Sequence, residues 1–276
     1  MMILIADSGS TKTNWCLVEG LNIVKRVQTQ GINPFYQTAT EIDDEIQKVV
    51  YPNFSGDKMT AIYFYGAGCV VGKKEIIENS LTKHFGVPAE VNSDLLAAAR
   101  AVCLHEKGIA AILGTGSNSC YYDGSSIQKQ VPALGFIIGD EGSGAVLGKK
   151  FVGNCYKNQL EPEIKQKFEE KYGLSMFDVL DKIYKQPFPN RFLASLVPFL
   201  HENLDYNSIY SLTLESFCEF LNRNIKQYDV NLPIGFVGSV AFYFSDVLNE
   251  AAERCGIKIA KIMKDPMTGL IEYHNN

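Results

Sequence analysis

Residues 2–6 (MILIA) form a compact apolar run that stops at the polar cluster DSGSTKT, and alternation returns over 14–19 and 22–30. That pattern predicts three strands of a meander opened by a glycine-bearing turn. Over 38–50, Ile42, Ile46, Val49 and Val50 recur at helical spacing, and MTAIYFY at 59–65 reads as a buried strand. A helix over 73–84, a short strand at 87–91 and a helix opening at Ser93-Asp94 complete a β-β-β-α-β-α-β-α order. From 108 a second block begins, with GIAAILG as a strand, SNSCYYDG as a second strand entering a turn, and IQKQVPALG as a third. A helix-rich stretch from 143 to about 228 follows, interrupted by QPFPNR at 186–191. LPIGFVGSVAFYFSDVLNEAAERCG then reads as strand, glycine turn and helix, KIAKIM as a last strand, and DPMTGLIEYHNN as a last helix with Pro266 near its start. An apolar strand, a glycine-hydroxyl loop and a return strand occur twice, at 3–19 and 109–122, which implies two domains of related topology. The expected division is 1–104 and 105–264.

Composition narrows the class. The chain has 276 residues, 46% apolar and 21% charged, which excludes collagenous, disordered and mini-protein readings. With 31 acidic against 26 basic side chains, the net charge of −5 gives no footprint for a polyanion, so nucleic acid is not an expected partner. The seven cysteines, at 16, 69, 103, 120, 155, 218 and 255, form no CxxC pair and read as small buried hydrophobes in a reducing cytosol. His84, His105, His201 and His274 are scattered, without the spacing of a metal-binding helix. A metal held by carboxylate and phosphate stays open. The start, MMILIAD, lacks the basic lead of a secretory signal, and no run approaches the roughly 18 apolar residues of a membrane span. The expectation is a soluble, cytoplasmic protein with no membrane partner.

Candidate chemistry lies in four polar, glycine-bearing segments, each read as following an apolar strand: residues 7–13 (DSGSTKT), 114–118 (GTGSN), 139–144 (GDEGSG) and 235–239 (GFVGS). Glycine lets backbone approach an oxyanion, and the amides of a tight turn form an anion-binding concavity. No GxxxxGK[ST] occurs, which excludes a Walker-type NTPase. Residues 142–148 (GSGAVLG) resemble a loose dinucleotide turn, but the N-terminal strand-helix unit that bears such a fingerprint is absent, so NAD is not expected.

Asp7-Ser-Gly-Ser-Thr-Lys-Thr-Asn14 resembles the first phosphate motif of the actin-like ATPase superfamily, which includes sugar kinases and heat-shock chaperones. Gly114-Thr-Gly-Ser-Asn118 resembles the second phosphate motif and Gly235 to Ala241 the adenosine motif. Gly139-Asp-Glu-Gly-Ser143 is similar to the N-acetylglucosamine kinase and BadF/BadG-type ATPase family. The resemblance implies an α/β fold of two actin-like (ribonuclease H-like) domains facing each other across a nucleotide and sugar cleft, with the last helix, 265–276, packed back on the first domain. It implies ATP and Mg²⁺ as cofactors. ATP would be held by Asp7, Gly9, Ser10, Thr11 and Lys12, by Gly114, Thr115 and Gly116, and by Gly238, Ser239 and Ala241, with Asp7 reaching Mg²⁺ through water. Asp94, in VNSDLLAAA, would be the base that accepts the proton of a sugar hydroxyl. On propensity alone, Ser93 and Asp94 equally suit the cap and first turn of a helix. The sugar would be read by Asn33, Asp94, Ser117, Asn118, Gly135 and Asp140. Asn33 equally suits a turn before Pro34, and Asp140 and Glu141 could bond their own loop. Family kinases tend to carry a tryptophan-glycine pair where this chain has Leu134-Gly135-Phe136. The aromatic run Phe242, Tyr243, Phe244 reads as core packing.

The implied activity is an ATP-dependent kinase of an amino sugar, most readily N-acetylglucosamine or glucosamine, with a homodimer as a family expectation. The alternatives are a BadF-type ATPase that drives a partner protein and a non-catalytic sugar or nucleotide sensor. The activators carry a cysteine-ligated iron-sulfur cluster, and Cys120 and Cys155 are not set in such a motif. Regulators of this fold carry an N-terminal helix-turn-helix, whereas here the first loop starts at residue 7.

Overall fold

The apolar run at the start becomes β1 (Met2–Ser8), followed by β2 (Lys12–Glu19), β3 (Asn22–Gln30), β4 (Met59–Gly66) and β5 (Ala89–Ser93). A computed structural model describes residues 1–9 and 11–275. The first sheet has the order β3-β2-β1-β4-β5, with antiparallel pairing through the meander and parallel pairing of β1 with β4 and of β4 with β5. Strand alternation sends Leu4, Ala6, Trp15 and Leu17 into one core and Ile3, Ile5, Cys16 and Val18 into another, so both faces of the sheet are covered. The first core is closed by α1 (Ala39–Glu45) and α3 (Lys74–Phe85), the second by α4 (Asp94–Cys103) and α14 (Met267–Asn275). Gly269 lets α14 cross α4 closely, since a Cβ there would stand 2.3 Å from the Ala101 carbonyl oxygen. This unit comprises Met1–Glu106, Gly124–Ser126 and Pro266–Asn276.

The second unit comprises Lys107–Asp123 and Ile127–Asp265. Its sheet, β10-β9-β6-β7-β8, is built from β6 (Gly108–Leu113), β7 (Ser117–Tyr122), β8 (Ile127–Val131), β9 (Ile234–Val237) and β10 (Ile259–Met263). Replacing β1 to β5 in order by β6 to β10 reproduces both the strand order and the sense of every pairing of the first sheet. Helices between β8 and β9 supply most of its core: α5 (Gly135–Ile138), α6 (Gly144–Tyr156), α7 (Pro162–Tyr172), α8 (Met176–Tyr184), α9 (Pro189–Ser195), α10 (Val197–Glu202) and α11 (Asn207–Arg223). After β9 come α12 (Ser239–Tyr243) and α13 (Ser245–Arg254).

Three sequence expectations are corrected. The helix expected over 38–50 changes to π register over 46–50 and runs on as α2 (Tyr51–Phe54), where Pro52 has no N–H to give to a preceding turn. The third strand of the second block stops at Val131, before Pro132, and the apolar run after it is the one-turn α5. The GDEGSG loop therefore follows a helix and not a strand. QPFPNR does not merely interrupt the helical stretch, because Pro189 occupies the first turn of α9.

Candidate active site

In the first unit the parallel strands β1, β4 and β5 end side by side, with Ser8 level with Gly66 and Gly66 level with Ser93. Asp7 is the penultimate residue of β1, and Asp94 opens the helix after β5, so two carboxylates sit at the same C-terminal sheet edge, two strands apart. This edge is where open α/β sheets bind ligands. The hairpin between β1 and β2 is closed by Gly9 N–H donating to the Lys12 carbonyl at 3.0 Å. Gly31 packs on its back, where a Cβ would lie 2.6 Å from the Gly9 carbonyl oxygen. Ser8 and Thr13, both buried, bond each other at 2.8 Å and share Ile32 N–H, so these hydroxyls are consumed in holding the hairpin against the segment that carries Asn33. The hairpin's Thr11 and Lys12 remain at the surface. Ser10 lies outside the described residues.

Asn33 Oδ1 accepts from Phe35 N–H at 2.9 Å and stands where a Cβ on Gly68 would be, 2.3 Å away. It is thus a turn residue, as the sequence also allowed. Ser93 caps α4 by accepting from Leu96 N–H, and Asp94 Oδ1 accepts from Leu95 N–H at 2.9 Å. Burial raises the Asp94 carboxyl above the usual range, against the lowering by the helix amides of Leu95 and of Asp94 itself. The same surroundings, chiefly burial and then the Asp94 charge, push the Cys69 thiol up to about 12.

In the second unit the loop after β6 is a tight turn, with Gly114 N–H donating to the Gly116 carbonyl at 3.0 Å. The first amides of α6 bond its back: Gly144 N–H to the Gly114 carbonyl and Ala145 N–H to that of Thr115. Gly238, at φ +129°, presses so close to the same turn that a Cβ would meet the Leu113 carbonyl oxygen at 2.2 Å. Asp140, itself at φ +54°, accepts from Ser117 N–H and Gly135 N–H and lies against Gly116, where a Cβ would be 2.9 Å from Oδ2. Burial is the main reason its pKa rises to about 6, with Glu141 adding to it. Glu141 faces away, paired with Arg223 at 2.7 Å and accepting from Asn224. Asn118 Oδ1 accepts from Ser119 N–H and from Gln130 across β7 and β8, and Ser117 is buried.

A cavity of about 420 Å³ opens beside this turn. Gly114, Thr115 and Gly144 form its floor, Ser239, Val240, Tyr243 and Phe244 one wall, and a segment from Ala194 to Glu202 the other. The volume suits a nucleoside. Gly238 and Ala241 stand behind the lining, Ala241 fully buried. The aromatic run divides: Phe244 is buried core, whereas Phe242 and Tyr243 are exposed, which corrects the expectation that all three are core. Sequence reasoning missed the wall from α9 and α10, including His201 and Glu202, which carries no phosphate-loop or motif signal.

An N-acetylglucosamine kinase of Porphyromonas gingivalis, provisionally so assigned, matches over 100% of this chain and 99% of its own, with 45% identity and a TM-score of 0.97. The chain belongs to the N-acetylglucosamine kinase family. A second protein with the same provisional assignment, from Chromobacterium violaceum, shares the fold at 16% identity and a TM-score of 0.67, covering 99% of this chain and 98% of that one. (R)-2-Hydroxyglutaryl-CoA dehydratase component A of Acidaminococcus fermentans shares it at 14% identity and 0.51, over 98% and 95%. The N-acetylglucosamine kinase family fold seen here is therefore the two-domain α/β fold of the actin-like ATPases. No family model and no curated protein matched the chain. Among the described residues no helix is long and apolar enough to cross a membrane.

Proposed function

We propose that the protein is an ATP-dependent kinase that phosphorylates a hydroxyl of an amino sugar, N-acetylglucosamine before glucosamine. The observation that carries this reading is Asp94, a carboxylate with a burial-raised pKa at the sheet edge shared with Asp7. A base of raised pKa is suited to taking a proton near neutrality. Family membership at 45% identity supports a kinase, and the 420 Å³ cavity supports ATP as its donor.

In this reading the adenosine enters the cavity between Tyr243 and the α10 wall, Thr115 and Gly116 of the second unit bind phosphate, and Gly9, Thr11 and Lys12 of the first unit are phosphate-binding residues in their own right. Asp7 suits Mg²⁺, a hard cation that takes one or two carboxylates and fills its remaining positions with water and phosphate oxygens. When bound, Mg²⁺ supplies charge compensation to those oxygens. Asn33 Nδ2 in the first unit and the Asp140 carboxylate in the second are each chemically suited to a sugar hydroxyl. Asp94 accepts the proton as the sugar oxygen forms its bond to the γ-phosphorus and the bond to the β-bridging oxygen breaks, leaving ADP.

The test is coupled-assay ADP release from Mg-ATP with N-acetylglucosamine, glucosamine, N-acetylmannosamine, N-acetylmuramic acid and glucose. A rate of about 1–100 per second that depends on one amino sugar is expected. Turnover indifferent to every sugar would overturn the kinase reading in favour of a partner-driven ATPase. Nucleotide binding without turnover would do so in favour of a sensor. Replacing Asp7 with Ala should weaken Mg²⁺-dependent activity, and an unchanged metal requirement would remove Asp7 from the site.

A further inference from the structure

Cys218 and Cys255 lie far apart in the chain and belong to no short cysteine motif, yet the fold sets their side chains beside each other. Cys218 stands in the second half of α11, and Cys255 follows the last residue of α13 as its C-cap. The two helices are fixed against each other by Phe217, edge-on to Phe244 with ring centres 6.2 Å apart, and by the Tyr210 hydroxyl, which donates to the Glu250 carboxylate. On that seam the Ala251 carbonyl accepts from Cys255 N–H at 3.0 Å and faces the Cys218 sulfur at 4.0 Å. The two thiols hydrogen-bond each other there. Both cysteines pack on the core of the second unit while only partly buried, so neither is sealed from solvent. Cys16, Cys69, Cys120 and Cys155 are buried, and Cys103, also partly exposed, belongs to the first unit.

We infer that Cys218 and Cys255 form a reversible dithiol–disulfide couple, closed by exchange with a low-molecular-weight disulfide. The nucleophile of such an exchange is a thiolate. Burial, and then the charge and hydrogen bond of Cys255, raise the Cys218 thiol above its usual value, so Cys218 stays protonated and Cys255 makes the first attack. The Cys255 thiolate bonds to one sulfur of the small disulfide, whose own S–S bond breaks and releases a small thiolate that takes up a proton. Cys218 then loses its proton and attacks the Cys255 sulfur of the mixed disulfide, expelling the second small thiol. The protein gives up two electrons and two protons, and one small disulfide becomes two small thiols. The new bond closes a ring that contains β9, α12 and α13, and with them Ser239, Val240, Tyr243 and Phe244 of the cavity wall. A cross-link over so long a segment removes many conformations from the unfolded chain and few from the folded one, because the helices that carry the sulfurs are already packed.

Incubation of the folded full chain with glutathione disulfide in mildly alkaline buffer, then non-reducing digestion and mass spectrometry, tests the pairing. The expected product is a peptide pair joined through Cys218 and Cys255. The intact mass should fall by two hydrogens, and both thiols should resist N-ethylmaleimide until a reductant is added. The oxidised chain should unfold at a higher urea concentration than the reduced one, with the difference lost on reduction. Cys218→Ser removes the second thiol of the exchange and should stop the reaction at one glutathione held on Cys255. Separate glutathiones on Cys218 and Cys255, two thiols that stay reduced in a large excess of glutathione disulfide, or a bond that forms only in the urea-unfolded chain would each overturn the inference. An oxidised chain less stable than the reduced one would do so too, because the bond would then have to pull the packed helices out of place.

Discussion

Asp94→Asn separates the two roles this position could hold, because catalysis needs the carboxylate whereas holding the helix start needs only an accepting oxygen. Asparagine is isosteric and keeps an oxygen to accept the Leu95 N–H bond seen at 2.9 Å, so the local geometry of α4 is preserved. What is lost is proton acceptance. General base catalysis contributes about 10²–10⁴ in rate, so turnover should fall by that factor, about 3–5 kcal/mol of barrier, with the KM for ATP unchanged.

Stability should move the other way. The raised pKa is the net of burial, which disfavours the carboxylate, and of the helix amides, which favour it, and burial wins. An acid whose folded pKa lies above its unfolded value binds protons more readily when folded, so its ionisation costs stability as pH rises from the unfolded pKa through the folded one. That cost is absent near pH 3 and grows as pH rises above the unfolded value. Urea unfolding at pH 7.5 should therefore show the variant at least as stable as the parent, with the difference vanishing in acid. Near-parental turnover, with stability unchanged at both pH values, would refute the reasoning and make Asp94 a helix-starting residue only, since asparagine serves that role as well as aspartate.

Other substitutions probe the second unit. The pKa of Asp140, raised to about 6, predicts that the KM for sugar rises as pH falls through that value and the carboxylate takes a proton, and that Asp140→Asn flattens the profile. Steady-state kinetics between pH 5 and 8 checks it. Gly238→Ala places a methyl 2.2 Å from a backbone oxygen at a φ reserved for glycine, so the variant should lose about 2–4 kcal/mol in urea melts and bind ATP more weakly. Glu141→Ala leaves the buried Asn224 amide without its acceptor and should cost about 1–3 kcal/mol, which a shifted urea midpoint would register.

What the sequence made legible is local. Period-two alternation and glycine placement are properties of neighbouring residues, and they found the two strand-loop-strand openings whose loops became the Gly9–Lys12 hairpin and the Gly114–Gly116 turn. The start of α4 was legible for the same reason, since Ser93 caps it through a bond three residues long. The apolar run Leu134 to Ile138 misled because periodicity cannot separate a short buried strand from a helical turn. Leu134 enters the left-handed region, which no local preference of leucine announces, and the run closes into α5 with Ile137 and Ile138 facing solvent.

The cavity wall was hidden for a different reason, and its one trace was misassigned. Glycines 142, 144 and 148 resemble a loose dinucleotide turn, but each answers a packing demand. Gly142 sits at φ +72° against Phe220 and Phe217, and a Cβ on Gly144 would press on Val197, Ala194 and the Gly114 oxygen. Gly148, inside α6, lies where a Cβ would be 2.1 Å from the Leu193 carbonyl oxygen. A glycine in a helix interior costs roughly 1 kcal/mol relative to alanine. The close approach it permits brings α9 and the start of α10 down onto α6, beside the Gly114 turn that α6 itself holds by two amides. The cavity wall is therefore a consequence of helix packing about 80 residues after the turn it faces, a separation over which spacing in sequence carries no signal. Glycine inside an otherwise sound helix, directly after a candidate phosphate loop, was the feature that could have pointed to a second helix lying close enough to line the pocket.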